Sequence, residues 1–266
     1  MATWTVGDLE LTRIADPGWT LELPQDEATT ATLQRSPWLA PTWVTDDWSL
    51  RVGSSTIAVR RGDDVVLVDP FLAFDDPAKL GPRLQALRDA GVEAEDVVAV
   101  VNTHVDGIGI NVLLDGSPTF PEARYLVPRL ELEAIRDGDG RGDPRGAPLV
   151  ALWDDGTVVA TEGDEWVLDG VRLADAPGHN PGHHVVWVES GGEAAVITGH
   201  LFLHPAQIAS TDSQTGDLDP VELEATRRAL LADCVARDAL LIGPLFEAPG
   251  AGRVAPEGDA WRLIPT

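Results

Sequence analysis

The sequence is poor in cysteine and in positive charge. Its one cysteine, Cys234, excludes a disulfide bond within the chain and fits a reducing compartment, so we expect a cytoplasmic protein. Lysine and arginine together number 19, against 44 aspartates and glutamates, and the formal net charge is -25. Because nucleic acids and anionic membrane surfaces are bound by clustered positive charge, we expect neither of them as a partner.

Long apolar runs are also lacking. No run is long enough to span a bilayer, and the first residues have neither the basic region nor the apolar stretch of a signal peptide. The chain of 266 residues is 44% hydrophobic, which is enough for a large core. No Ser/Gly/Pro-rich linker separates two differently composed halves. We therefore expect one domain over residues 1–266.

Tryptophan is concentrated near the start of the chain. Five of the nine tryptophans lie in the first 50 residues: Trp4, Trp19, Trp38, Trp43 and Trp48. The pattern predicts a short strand over Leu9–Ile14 and an irregular, proline-containing arm over residues 16–48. The arm's aromatic side chains could wall a substrate pocket, bury themselves in the contact of a homodimer, or simply anchor the arm to the body.

The elements around the middle of the chain predict a layered architecture. The apolar run Val97–Val101 is typical of a buried strand, and Asp219-Pro220 begins a helix that should reach about Arg237. Strand signals occur in pairs as well as in alternation with helices. This order favours two sheets packed on each other with helices outside.

Histidine is scarce, and its placement is informative. Each histidine follows the end of a predicted strand or opens the next one; the six are His104, His179, His183, His184, His200 and His204. Loops at strand ends are where binding and catalytic sites are usually built. A histidine and a carboxylate two residues apart, as in His104 and Asp106, can also aim at one point in space. The histidines as a set therefore predict a functional site.

Several motifs carry a resemblance to a known family. They are Val66-Leu67-Val68-Asp69-Pro70, Val100 to Gly109, Pro177-Gly178-His179-Asn180-Pro181-Gly182-His183, Thr198-Gly199-His200 and Pro249 to Val254. Together they resemble the metallo-β-lactamase-fold hydrolases, in particular the lactonase-like branch. The resemblance implies an α+β fold, the four-layer αβ/βα sandwich, with the site at one edge of two packed sheets. It also implies a pair of zinc ions, sometimes iron or manganese, with a bridging hydroxide that attacks an ester, lactone, thioester or amide.

The first metal-binding motif of that family is depleted in this chain. The family pattern is His-x-His-x-Asp-His, and the ungapped register places Asn102 at its first histidine and His104 at its second. Asp106 keeps the aspartate, whereas Gly107 replaces the last histidine. A second register aligns Thr103-His104 with the usual Thr-His opening and needs a two-residue deletion. In either alignment, this chain keeps only one of the three histidines of the family motif.

The remaining ligand positions are altered as well. His183 matches the ligand histidine of the second motif, but His200 replaces the bridging aspartate and Leu245 replaces the last histidine. The resemblance therefore implies at most one metal, a zinc, iron or manganese ion held by His104, His183 and His200, with Asp106 or Asn102 as a further ligand.

The alternative is a site without metal. His104, Asp106, His183 and His200 would then form a titratable cluster for acid–base chemistry, and Asp69, Asn102, His179 and His204 would lie around it as pocket residues. In both cases we expect an enzyme acting on a small organic molecule. It would hydrolyse an ester or lactone if one metal is present, or perform elimination, isomerisation or ring opening without one. A non-catalytic ligand-binding or interaction protein that reuses the fold is the remaining hypothesis.

Overall fold

The computed structural model describes residues 1–70, 80–105, 118–138, 141–214 and 216–266, and their strands form two seven-stranded sheets. The first sheet has its strands in chain order: β1 (Ala2–Val6), β2 (Leu9–Leu23), β3 (Leu50–Arg61), β4 (Asp64–Val68), β5 (Val97–Val101), β6 (Arg124–Pro128) and β7 (Val158–Thr161). The strands from β1 to β4 pair antiparallel, and those from β4 to β7 pair parallel.

The second sheet also follows chain order. Its strands are β8 (Trp166–Leu168), β9 (Val171–Asp175), β10 (His184–Ser190), β11 (Glu193–Ile197), β12 (Leu240–Ile242), β13 (Ala251–Glu257) and β14 (Ala260–Pro265). Only β11 and β12 pair parallel, and the helix between them makes this crossover possible.

The α-helices in the described residues lie on the outside of the sheets. They are α1 (Glu27–Leu33), α2 (Leu80–Asp89), α3 (Arg129–Asp137), α4 (Ala147–Asp154), α5 (Ala206–Ala209) and α6 (Pro220–Arg237). Within the described ranges, no helix combines the length and the apolar character that crossing a membrane requires.

Each sheet has the central core on its inner face and a second core on its outer face. Successive side chains of a strand therefore point alternately to one core and to the other. On β4, Val66 and Val68 point into the core between the sheets, whereas Leu67 points into the core beneath α2, α3 and α4. On β11, Ile197 shares the central core, and Val196 packs in the core beneath α6. The result is helix, sheet, sheet, helix, so the predicted four-layer αβ/βα sandwich of an α+β protein is confirmed.

Helix α6 begins and ends where the sequence predicts. Asp219 caps it by accepting hydrogen bonds from the backbone N–H groups of Val221 and Glu222 at 3.1 and 3.0 Å, and Pro220 is its first residue. The helix stops at Arg237 because Asp238 adopts the left-handed conformation with φ of 48°.

Strand β2 is longer than the predicted Leu9–Ile14. It runs to Leu23, and its pairing with β3 shifts register between Ala15 and Thr20. Pro17 and Gly18 lie in this irregularity, so the local pattern breaks there. The second half of β2 is held by the start of β3, a partner that the local sequence does not reveal.

The segment predicted as an irregular arm begins with the end of strand β2 and also contains helix α1, and Trp38, Trp43 and Trp48 pack in the core beneath α6. Trp43 is fully buried in the core beneath α6, and its indole N–H donates to the carbonyl of Glu247 at 3.3 Å. Trp38 meets Trp43 edge to face with ring centroids 5.9 Å apart. The anchoring role considered for these side chains is therefore the one that the structure supports for Trp38 and Trp43.

Candidate functional site

The residues that follow strand β5 form backbone hydrogen bonds with both sheets. The backbone N–H of Asp69 donates to Val101 at 2.9 Å, and that of Asn102 donates to Leu126 at 2.9 Å, which fixes the exit against β4 and β6. The N–H of His184, the first residue of β10, donates to the carbonyl of Thr103 at 2.8 Å. This bond crosses from one sheet to the other, so the residues after β5 and the residues before β10 share one edge.

Three histidines converge at this edge. One ring nitrogen from each of His104, His179 and His200 lies within 4.8 Å of the others. Nε2 of His104 is 2.9 Å from Nδ1 of His200, and the His104 and His179 ring centroids are 5.2 Å apart. The three residues are at most 9% exposed. We call His104, His179 and His200 the histidine trio.

A chain of hydrogen bonds orients His104. The hydroxyl of Thr103 donates to Oδ2 of Asp69 at 2.7 Å, and the N–H of Thr103 donates to Oδ1 of the same carboxylate at 2.8 Å. Since the Thr103 proton is used by Asp69, the Thr103 oxygen accepts from Nδ1 of His104, 2.9 Å away. Asp69, predicted as a pocket residue, thus acts on His104 through Thr103.

A carboxylate also orients His179. Nδ1 of His179 is 2.7 Å from Oδ1 of Asp217, whose side chain is fully buried. The backbone joins the same two segments, because Leu218 N–H donates to the His179 carbonyl at 3.0 Å. Asp217 was not among the predicted site residues. It lies 38 positions from His179, and no local pattern marks it.

His183 contacts the trio through a different kind of bond. Its Nε2 accepts the backbone N–H of His200 at 3.1 Å, and its side chain is nearly fully buried. Burial lowers the pKa of His183 well below its ordinary value, and the neighbouring imidazoles of His104, His179 and His200 lower it further. His183 is therefore a neutral ring beside the trio.

A glycine makes this contact between His183 and His200 possible. Gly199 has φ of 53°, and a Cβ built there would lie 2.5 Å from Oγ1 of Thr103 and 2.7 Å from Nε2 of His183. Only a residue without a side chain lets the Thr198-Gly199-His200 turn come this close.

The two other histidines form bonds elsewhere. His204, predicted near the pocket, has Nε2 2.8 Å from the carbonyl of Trp43, and its Nδ1 accepts the N–H of Ala206 at 3.0 Å. Burial lowers the pKa of His204 to about 4. His184 has Nε2 3.1 Å from Oγ1 of Thr161, and burial lowers its pKa although Asp175 opposes this shift.

The other predicted positions divide into three groups. Asn102 is buried, and its amide is 3.4 Å from the carbonyl of Leu126. Asp106 and Gly107 lie outside the described residues. Leu245 is 6% exposed, and its carbonyl accepts from Gly53 at 2.9 Å, so it offers no side-chain ligand.

The donor set of the trio fits one transition-metal ion. Three imidazoles with an open fourth position are a known catalytic zinc set, and each ligating ring normally donates its other N–H to a carboxylate, carbonyl or water. Asp217 supplies such a partner to His179, and Asp69 does so for His104 through Thr103. The predicted ligand set of His104, His183 and His200 has two of these residues in common with the trio and stays a prediction.

Several solved structures share this fold. A dizinc quorum-quenching lactonase, AidC, solved with the product N-hexnoyl-L-homoserine, matches over 99% of this chain and 96% of its own with a TM-score of 0.81 and 18% identity. The hydrolase AbOPH of the β-lactamase superfamily matches over 100% and 97% with a TM-score of 0.80 and 20% identity. A probable metal-dependent hydrolase from Staphylococcus aureus matches over 99% of both chains with a TM-score of 0.74 and 15% identity.

Sequence comparisons give the family. None of the curated proteins matches this chain in sequence. The sequence profile described as the metallo-beta-lactamase superfamily matches residues 50–234, which is well over half of the chain and includes all six histidines. The chain therefore belongs to the metallo-beta-lactamase superfamily.

Proposed function

We propose that this protein is a hydrolase of small esters or lactones and that it uses a single metal ion bound by the histidine trio. The observation that carries the proposal is the convergence of three buried imidazole nitrogens within 4.8 Å at the shared edge of the sheets. A zinc ion bound there would polarise a carbonyl group and activate water near neutral pH.

The chain's own side chains support this chemistry. The Asp69–Thr103–His104 hydrogen bonds fix the orientation of His104, and the Asp217 carboxylate fixes that of His179. Burial of the trio and of His183 excludes water from the back of the site. Preorganised and partly desolvated groups of this kind are what hydrolytic catalysis requires.

One metal suits the chain better than two. The family's last ligand histidine is replaced by Leu245, whose apolar side chain donates nothing, and Gly107 replaces another. A second ion would keep too few protein ligands to be tightly held.

The substrate class is supported by the structural neighbours. AidC is a dizinc quorum-quenching lactonase solved with the product N-hexnoyl-L-homoserine, and AbOPH is a hydrolase. Together with the superfamily match, these neighbours support a carbonyl or comparable electrophile in a small molecule as the substrate.

Acid–base chemistry without metal is the second candidate. It is favoured by the 2.9 Å distance between Nε2 of His104 and Nδ1 of His200, because a proton on one of these nitrogens would form a hydrogen bond to the other. Such a pair, with Asp106 and His183, could move a proton in elimination, isomerisation or ring opening.

The experiment uses the full chain purified without an affinity tag. Metal content is measured after dialysis with zinc, manganese or iron, and a panel of lactones and esters is assayed by proton release. We expect close to one metal per chain and hydrolysis that a chelator removes and zinc restores. Activity that persists without metal would support the second candidate, and the absence of turnover on every substrate would support a ligand-binding protein instead.

Two variants distinguish loss of the site from loss of the fold. His104→Ala should abolish hydrolysis, whereas His184→Gln, a matched change of a buried histidine bonded to Thr161, should keep it. Circular dichroism of both variants checks that they fold. Hydrolysis that survives in His104→Ala would overturn the proposal.

A further inference from the structure

We infer that Arg227 of helix α6 is a positioning residue of the histidine trio, because its buried guanidinium joins the turn that carries His200 to the segment that leads to Asp217. Asp217 is the carboxylate that orients His179. The inference rests on the proposed one-metal function and deepens it. Arg227 would act on the metal site only through these other residues.

The first contact of Arg227 is with the turn after β11. Its Nε–H donates to the carbonyl of Leu201 at 2.7 Å, and Leu201 directly follows His200 in the short helical turn Gly199–Leu201. The guanidinium carbon also lies 5.5 Å from the centroid of the Phe202 ring. Arg227 is fully buried, so water does not compete for these contacts. The backbone of the His200 turn is therefore held from helix α6.

The second contact of Arg227 is with the segment before α6. Its Nη1 donates to the carbonyl of Thr211 at 3.1 Å and to the carbonyl of Ser213. The chain continues from there to Asp217. The planar guanidinium has donors in a fixed fork, so one side chain can bind carbonyls of two separate segments in a defined geometry. Arg227 thus connects the segment of Asp217 to the turn of His200.

The beginning of helix α6 contacts the segment that carries His179. The N–H of Leu218 donates to the carbonyl of His179 at 3.0 Å, and the N–H of Asp219 donates to that of Gly178 at 2.9 Å. A Cβ built on Gly178 would lie 2.4 Å from Cα of Leu223, so the backbone of this segment lies directly against the helix.

Helix α6 therefore contacts both sides of the site. Its first turn binds the backbone of His179, and Arg227, about two turns further along, binds the turn of His200. The ring centroids of His179 and His200 are 5.4 Å apart. Because a helix is stiff over two turns, Arg227 fixes the relative position of these two rings before any ion binds.

The charge of Arg227 favours the same arrangement. Burial lowers its pKa to about 10, and the carboxylates of Asp217 and Asp212 oppose this lowering, so the guanidinium stays charged at neutral pH. The side chain of Asp217 is fully buried, and a buried carboxylate is stabilised by a nearby cation. Hydrogen bonds from a charged donor to the loop carbonyls are also stronger than neutral ones.

Zinc affinity of variants tests the inference, with a second buried arginine as the matched control. Nε and Nη2 of Arg83 each donate to the carboxylate of Asp16 at 2.9 Å, between α2 and β2. Zinc Kd is measured by competition with a chelating dye, and stability by urea unfolding. We expect Arg227→Met to weaken zinc binding by at least about tenfold, the lower end of the effects of outer partners in metal sites.

The other variants separate positioning from general loss of stability. Arg227→Lys keeps the charge but not the fork, and its zinc affinity should lie between those of the parent protein and Arg227→Met. Arg83→Met should lower the urea midpoint and keep the zinc affinity of the parent protein. Parent affinity in a folded Arg227→Met, or an equal loss of affinity in Arg83→Met, would overturn the inference.

Hydrogen exchange in the unsubstituted full chain provides a readout that does not depend on whether a variant folds. The exchange of the arginine Nε–H groups is followed by nuclear magnetic resonance with and without zinc. We expect zinc to slow the exchange of the Arg227 Nε–H, which is bonded to Leu201 beside His200, more than that of the Arg83 Nε–H. Equal slowing of the two groups would contradict the inference and leave the one-metal function intact. A parent protein that binds no zinc would contradict the proposed function, and the inference with it.

Discussion

Nε2 of His104 and Nδ1 of His200 lie 2.9 Å apart, although 96 positions separate the two residues in the chain. His104 follows β5 in the first sheet, and His200 follows β11 in the second. Their contact exists only because the two sheets pack face to face and end at a common edge. The chemistry of the site therefore depends on the packing of the central core, which holds Val68 and Val101 of one sheet against Ile197 of the other.

Added zinc should stabilise the folded protein. An ion that binds the folded trio and not the unfolded chain raises the free energy of unfolding by about 2.7 kcal/mol at a free concentration 100 times its Kd. The measurement is the thermal midpoint with and without zinc. His104→Ala is the control and should show no zinc-dependent rise, and an unchanged midpoint in the parent protein would count against a metal at this site.

Thr103→Val should weaken both stability and activity. Valine has the shape of threonine but cannot connect the carboxylate of Asp69 to Nδ1 of His104, so two side-chain hydrogen bonds are lost, each worth about 0.5–1.5 kcal/mol. Urea unfolding and kcat/KM measure the two effects. Thr103→Ser keeps the hydroxyl and should retain most activity; equal losses in both variants would argue against the hydrogen-bond chain.

Gly199→Ala should destabilise the protein more than an alanine at another left-handed glycine. Its Cβ would lie within 3 Å of Thr103 and His183, whereas one at Gly62, with a similar φ of 61°, would meet nothing within 4 Å. Gly62→Ala should therefore cost only the backbone strain of about 1–2 kcal/mol. Equal free energies of unfolding for the two variants would show that the close approach at Gly199 is not needed.

Low pH should destabilise the folded protein because protonation of the buried His204 is unfavourable. Its pKa is about 4 in the folded chain, because burial disfavours the charged ring, and about 6.5 when unfolded. The unfolded state thus binds the proton more readily, so this stability is complete above pH 6.5 and is lost as the pH falls towards 4. The difference corresponds to about 3 kcal/mol.

The pH dependence of urea unfolding measures this effect. His204→Gln removes the titrating group, and its free energy of unfolding should fall less steeply between pH 6.5 and 4. A parallel dependence in the two proteins would contradict the role of His204. His183, whose pKa is also lowered, should supply much of the slope that remains.

Much of the fold could be predicted from local sequence. The run Val97–Val101 was predicted as a buried strand and is strand β5, because both faces of a parallel strand are covered and all its residues are apolar. Helix α6 was predicted from Asp219 and Pro220, whose capping preferences act within one turn. The extension of β2 beyond Ile14 was missed, since its partner residues in β3 begin some thirty positions later.

The candidate site, too, could be predicted only in part from the sequence. The sequence by itself indicated the family, placed the histidines at strand ends, and predicted the loss of ligand residues at Gly107 and Leu245, because these are matters of residue type and order. The tertiary structure decided which nitrogens face one another. It paired Asp217 with His179 and the His200 backbone with Nε2 of His183. Residue spacing cannot reveal these pairings, because the position of a proton on an imidazole depends on the acceptor that folding brings to it.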